Sequence, residues 1–120
     1  MPGHIKVTMD KARERLANRF ECPLYSALSV LGGRWKPLIL WHLAEDGPHR
    51  FLALQRKLEG VSKKVLSAQL KELEADGLVQ KTVFDSVPPH TEYAVTAYGE
   101  SVRPVLDALC TWGEAHYATA

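Results

Sequence analysis

The stretch from Leu58 to Val79, LEGVSKKVLSAQLKELEADGLV, constrains this chain more than any other. It reads as a turn, a capped helix, a glycine stop and the start of a strand. Ser62 stands just before the helical pattern and can accept a backbone N–H bond as N-cap. Leu66, Leu70 and Leu73 recur at spacings of four and three, which makes one buried stripe. Lys64, Ser67, Ala68 and Lys71 fall on the opposite face of the wheel. That face is short, polar and cationic, as a helix lying in a DNA groove needs to be. An ordinary amphipathic helix with a solvated lysine face has the same pattern, and the segment alone does not separate the two. Gly77 supplies the left-handed position after the helix, and Leu78–Phe84 opens a strand.

The flanking segments extend the pattern. Met9, Ala12, Leu16 and Phe20 recur at helical spacing and predict a short amphipathic helix over residues 1–20, too short to stand alone. Cys22-Pro23 places a proline at a first helical position with Cys22 as N-cap. Leu24, Ala27, Leu28 and Leu31 then predict a buried stripe, ended by Gly32-Gly33. Trp35–Leu43 is nearly apolar all round and predicts a central buried helix with Pro37 in its first turn, His42 being a core histidine. After the turn Glu45-Asp46-Gly47-Pro48, Arg50-Phe51 enters a short helix with Phe51, Leu54 and Leu58 on one side. Leu78–Phe84 and Thr91–Val95 are strand-like, joined by Asp85–His90, whose two prolines make a stiff wing rather than a tight turn. From Thr96 to about residue 118 one further helix is expected, with Pro104 kinking it or marking its start. Its Tyr98, Val102, Val105, Leu109, Trp112 and His116 follow nearly a heptad seam. Such a helix can cover its own core or pair with a second copy, and with the N-terminal helix it favours a dimer.

The expected fold is mainly α with a small β-wing: one winged helix-turn-helix domain over residues 1–120, with added N- and C-terminal dimerisation helices at 1–20 and 96–118. A chain of 120 residues suits a single domain. No apolar run approaches the ~18 residues of a membrane span, and the N-terminus lacks a signal-type apolar region, so a cytoplasmic location is expected. The net charge of +1 is uninformative, but its distribution is not. The middle, from Arg34 to Lys81, is basic and the tail from Asp85 onward is acidic. Two distant cysteines and five scattered histidines make neither a disulfide framework nor a metal-ligand spacing. No phosphate loop, nucleophile motif or paired-carboxylate signature is present. Catalytic residues, cofactor and metal are therefore not expected, and neither is an enzyme.

The ordered set Cys22-Pro23, Leu31-Gly32-Gly33-Arg34-Trp35, Arg50-Phe51, Leu70–Val79, Val87-Pro88-Pro89, Glu92-Tyr93 and Thr96 resembles the HxlR-type winged-helix transcription regulators. The resemblance runs from about Phe20 to about His116. It implies a homodimer built from terminal helices, two winged helices reading a pseudo-palindromic operator on double-stranded DNA, and bacterial or archaeal transcription control. Some members with a cysteine at the Cys22 place respond to oxidants, quinones or aldehydes. Many relatives carry Arg after the Pro-Pro of the wing. Here it is His90, mostly neutral near pH 7, so wing contacts are expected to be weaker or pH-dependent.

On this reading the helix from Ser62 lies in the major groove with its N-terminal half against base edges. Lys63 and Lys64 reach phosphate or guanine, and Ser67 either. Gln69 can pair with adenine, although the wheel sets it toward the flank. Arg50, Lys71 and Lys81 suit phosphates, which fix register. The dimer face is expected at Leu16, Phe20, Val102, Val105, Leu109 and Trp112. Cys22 is the candidate redox sensor, since a thiol at a helix N-terminus meets unpaired N–H groups and the positive dipole end. Packing and capping are its bland alternative. Cys110 is expected to be inert packing. A small-molecule effector is left open. The competing function is a winged-helix protein-interaction module without sequence-specific DNA binding.

Overall fold

The computed structural model describes residues 22–117, so the expected helix over 1–20, with Leu16 and Phe20, lies outside the described residues. Helices α1 (Pro23–Leu31) and α2 (Trp35–Asp46) lead to a two-residue strand β1 (His49–Arg50). Then come α3 (Phe51–Lys57), α4 (Lys63–Ala75), the strands β2 (Val79–Phe84) and β3 (His90–Val95), and the helices α5 (Ala97–Glu100) and α6 (Arg103–Tyr117). The fold is the expected mostly helical winged helix with a small sheet.

Local chemistry explains most boundaries. Gly47 closes α2 at a φ of 82°, and its N–H donates to the Leu43 carbonyl at 3.1 Å. Ser62 caps α4 as expected, its Oγ accepting from the Val65 N–H at 3.1 Å. Gly77, at a φ of 79°, ends that helix. Thr96 repeats the capping device at α5, accepting from the Gly99 N–H at 2.9 Å.

Three expectations need correction. The sheet has three strands in the order β1-β3-β2, all antiparallel, rather than a bare hairpin. His49 pairs with Tyr93 and Arg50 with Glu92, so the residues entering α3 first form an edge strand. The C-terminal segment is two helices rather than one, because the chain turns at Ser101-Val102; of the two roles expected for Pro104 it takes the second, marking the start of α6. Finally, α1 does not bury Leu24, Ala27 and Leu28. These are exposed, Leu31 is half-buried, and Val30 alone joins the core. Leu31 packs against the core from the end of the helix.

The core is Ile39, Leu40 and Leu43 of α2 against Leu54 and Leu58, the leucine stripe of α4, Leu78, Val79 and Tyr93, closed by Val102 and Leu106. Central α2 touches β3, α4 and α6. It is less buried than its composition suggests, with Leu38 exposed and Trp35, Trp41 and His42 half-buried. Burial lowers the tendency of His42 to protonate, and the nearby Lys57 ammonium adds to this. Arg103 fastens α6 to the end of α2, donating to Glu45 at 2.7 Å and to the Ala44 carbonyl in the last turn of α2 at 2.6 Å.

Candidate nucleic-acid interface

The helix-turn-helix is α3, the turn Leu58–Ser62 and α4. Gly60, at a φ of 92°, permits the turn. The turn is tied from both sides: the Val61 N–H donates to the Leu58 carbonyl at 3.2 Å, and Gln55 Nε2 donates to the Val61 carbonyl at 3.2 Å. With Leu66, Leu70 and Leu73 fully buried, the rotation of α4 is fixed by packing. Its outer face then carries Ser62, Lys63, Lys64, Ala68 and Lys71, all exposed, with Ser67 and Gln69 half-buried at the flanks. Cations therefore crowd the N-terminal half, where the positive end of the helix dipole adds to them.

Arg50 and Lys81 are exposed on the two edge strands of the sheet, at the start of α3 and in mid-β2; their partners on β3, Glu92 and Tyr93, are successive residues, so the two side chains leave opposite faces and only β2 adjoins α4. The wing between β2 and β3 ends in a fully exposed Val87 and a cis Val87-Pro88 bond. His90 sits at its base. Its ring stacks on Phe84 at 4.7 Å between centroids, while its nitrogens lie 3.1 Å from Ser86 Oγ and 3.2 Å from Glu92 Oε2. The Ser86 hydroxyl also donates to the Pro88 carbonyl at 2.7 Å. His90 is thus a strut of the wing, held on three sides.

Two basic residues of the middle segment belong elsewhere. Lys36 is buried, its side chain 8% exposed, and its ammonium donates to Glu72 on the far half of α4, a carboxylate that is itself 57% exposed. It is a tie between helices and not part of a cationic surface. Lys57 donates to Asp46 at 2.8 Å and to Nε2 of the buried His49 at 2.7 Å, while His49 Nδ1–H donates to the Gly47 carbonyl at 2.7 Å. That network locks β1 to α3 and so positions the neighbouring Arg50. Sequence reading missed His49, whose partners are set by the fold. Among the described residues no buried side-chain nitrogen or oxygen lacks a partner.

The C-terminal half of α4 is acidic. Burial raises the Asp76 carboxyl above its ordinary value, with Lys36 opposing the shift and Glu72 adding to it. A carboxyl raised in this way holds its proton more tightly in the native chain than in the unfolded one. It therefore costs stability as pH climbs from the ordinary value through the raised one. Asp76→Asn is expected to raise the thermal midpoint near neutral pH and to leave it unchanged near ~pH 3, where both forms are uncharged. Calorimetry at the two pH values checks this, and equal midpoints near neutrality would contradict it.

The remaining predicted residues divide. Val102, expected at a dimer face, is 9% exposed and sits in the core of its own chain. Leu106, outside the expected seam, is buried beside it. Val105, Leu109 and Trp112 point outward, and Trp112 stacks on His116 at 4.5 Å. Cys110 is exposed rather than packed. With Pro37, Leu38, Trp41, Leu106 and Leu109 it lines an open apolar groove of about 290 Å³. Cys22 is half-buried at the α1 N-cap, where its carbonyl accepts from the Tyr25 N–H at 3.0 Å but its side chain makes no capping bond. Both cysteines are free thiols.

Among the described residues no helix is long and apolar enough to cross a membrane, and no group of three or more His, Cys, Asp or Glu side chains could hold a metal.

The comparisons with known proteins agree with this geometry. A family model for the HxlR-like helix-turn-helix matches residues 30–120. The chain is 42% identical over 107 residues to BH0655, an uncharacterized HTH-type transcriptional regulator of Halalkalibacterium halodurans, covering 89% of this chain and 95% of that one. The redox regulator HypR in its oxidized form superposes with a TM-score of 0.76 at 37% identity, over 82% of this chain and all of that one. The reduced form of the transcriptional regulator YodB from Bacillus subtilis superposes at 0.70 and 34% identity, over 80% and 94%. An exposed cationic helix on a leucine platform, flanked by a wing, is thus found here in a sequence whose relatives are named as transcription regulators. The chain belongs to the HxlR-like helix-turn-helix family of DNA-binding transcription regulators.

Proposed function

We propose that this protein is a dimeric, sequence-specific transcription regulator whose α4 enters the major groove of a pseudo-palindromic operator and whose Cys22 couples binding to redox or electrophile stress. The observation that carries the DNA reading is the outer face of α4, where Lys63 and Lys64 stand exposed at a capped N-terminus and Lys71 stands exposed two turns further along. Lys63, Lys64, Ser67 and, from the flank, Gln69 meet base edges or phosphates. Ser62, Arg50, Lys71 and Lys81 hold register, and the wing with His90 lies along the adjacent backbone. Lys64→Ala is expected to weaken binding and to lower the slope of log affinity against log salt by about 1. A titration with an unchanged slope would remove Lys64 from the DNA face.

The dimer reading rests on apolar side chains that this chain leaves uncovered: Leu24 and Leu28 on α1, and Val105, Leu109 and Trp112 on α6. Leu16 and Phe20 of the preceding segment belong to the same proposal. A two-fold pair would meet half-sites roughly 34 Å apart, and a footprint over one unpaired half-site would count against it. Cys22 opens α1, a helix carrying part of that face, so a change at its sulfur can shift one subunit against the other. HypR is a redox regulator, and its similarity to this chain supports the idea here.

The test is to select bound genomic fragments with reduced protein and repeat the binding after mild oxidation, for the natural chain and for Cys22→Ser. A pseudo-palindrome released on oxidation by the natural chain but kept by Cys22→Ser is the expected result. A palindrome held equally in both states would reduce Cys22 to packing. No enrichment at low salt would favour a protein-interaction module.

A further inference from the structure

The first two turns of α4 present more than charge. Val65 is 39% exposed, although the leucine stripe beside it is fully buried. Ala68, three residues on, is also exposed. Residues at this spacing are neighbours on a helix surface, so the two form a small apolar strip. By the wheel that strip runs between Lys64 on one side and Gln69 on the other.

A β-branched side chain in the first turn of a helix loses rotamer freedom and adds no helix propensity. Val65 adds little to the core either, since Leu66, Leu70 and Leu73 occupy the buried face of α4. It is, however, a rigid group on a fixed backbone, because its N–H is held by the Ser62 cap at 3.1 Å. The surroundings select what can cover it. Lys64 and Lys71, both exposed, stand along one edge of the strip, within four residues of Ala68, which favours a polyanion over an apolar protein surface. Within the major groove the apolar feature available to such a strip is the C5-methyl group of thymine.

We infer that Val65, with Ala68 beside it, is a specificity-determining residue that reads thymine methyl groups in the operator. The inference rests on the reading that α4 lies in the major groove. Lysines fix and attract the duplex, whereas this strip distinguishes thymine from cytosine at the positions it covers.

The test separates the two layers. A duplex selected from a random-sequence pool by the natural chain is remade with each thymine replaced in turn by deoxyuridine, which deletes only the methyl. At one or two positions per half-site the natural chain is expected to lose about four-fold in affinity, the equivalent of one buried methyl group of ~0.8 kcal/mol. Val65→Ser is expected to keep its fold, bind more weakly, and no longer distinguish uracil from thymine at one of those positions. Lys64→Ala is expected to bind both duplexes more weakly while keeping the distinction. If no deoxyuridine position matters although guanine N7 atoms of the site are protected from methylation, the methyl reading is wrong and the docking stands. If Val65→Ser keeps the full uracil discrimination, the methyl is read by another residue and the inference is overturned. If N7 atoms stay unprotected in a bound duplex, α4 is not in the groove and both readings fall.

Discussion

Gly99→Ala is expected to cost about 3 kcal/mol, the upper end for overpacking, and so to remove a large share of the stability of a domain this size. A Cβ at this position would overlap the Leu78 carbonyl oxygen and lie 2.6 Å from Val95 Cγ2. Neither neighbour can step aside at low cost. The Leu78 carbonyl accepts the Thr96 N–H at 3.0 Å, and Thr96 is itself anchored by its hydroxyl, which donates to the Gly77 carbonyl at 2.6 Å. Val95 closes the sheet in register with Val79. The same glycine donates its N–H to the Thr96 cap and accepts from the Val102 N–H at 3.0 Å. Displacing it disturbs the end of α4, the root of the wing and the start of α6 together. Denaturant unfolding followed by circular dichroism measures the loss. A cost under about 1 kcal/mol would mean that α5 can slide away from β3 and that this junction is softer than its hydrogen bonds indicate.

Leu109→Arg combined with Trp112→Arg is expected to separate the proposed dimer and to lower operator affinity by roughly 10²–10⁴, the gain that linking two half-site readers confers. Both side chains are more than half exposed in the single chain, at 57% and 55%, so the fold of one subunit does not depend on them. Charge placed there should therefore leave the thermal unfolding of the subunit cooperative, while equal charges meet across the two-fold axis. Sedimentation gives the oligomeric state, and binding to a full site and to a single half-site gives the affinity ratio. A variant that stays dimeric, or a monomer that binds the full site as tightly as before, would place the pairing surface elsewhere. Val102 serves as the internal contrast. A charge at this buried position is expected to unfold the subunit outright, because an unpaired charge would enter the core.

Much of the interface was legible in the chain itself, because its determinants are local. The α4 stripe needs only leucines three and four residues apart, its cap is a serine reaching three residues ahead, and its stop is a glycine with a positive φ. Proline at the head of α1, α2 and α6 marks starts by the same short-range chemistry. Once the leucine stripe is turned inward, helix geometry alone puts Lys64, Ala68 and Lys71 on the outside. The tertiary structure decided what depends on residues distant in sequence. β1 is a strand only because β3 pairs with it, as two residues carry no periodicity to read. Lys36 looked like one more surface cation until the fold brought it against Glu72, 36 positions away. The apolar residues of α1 and of the segment from Val102 onward gave no sign of which would meet their own core. Val30, Val102 and Leu106 do, while Leu24, Leu28, Leu109 and Trp112 do not. The pattern of a helix says which side is apolar. What covers that side depends on how the other elements pack.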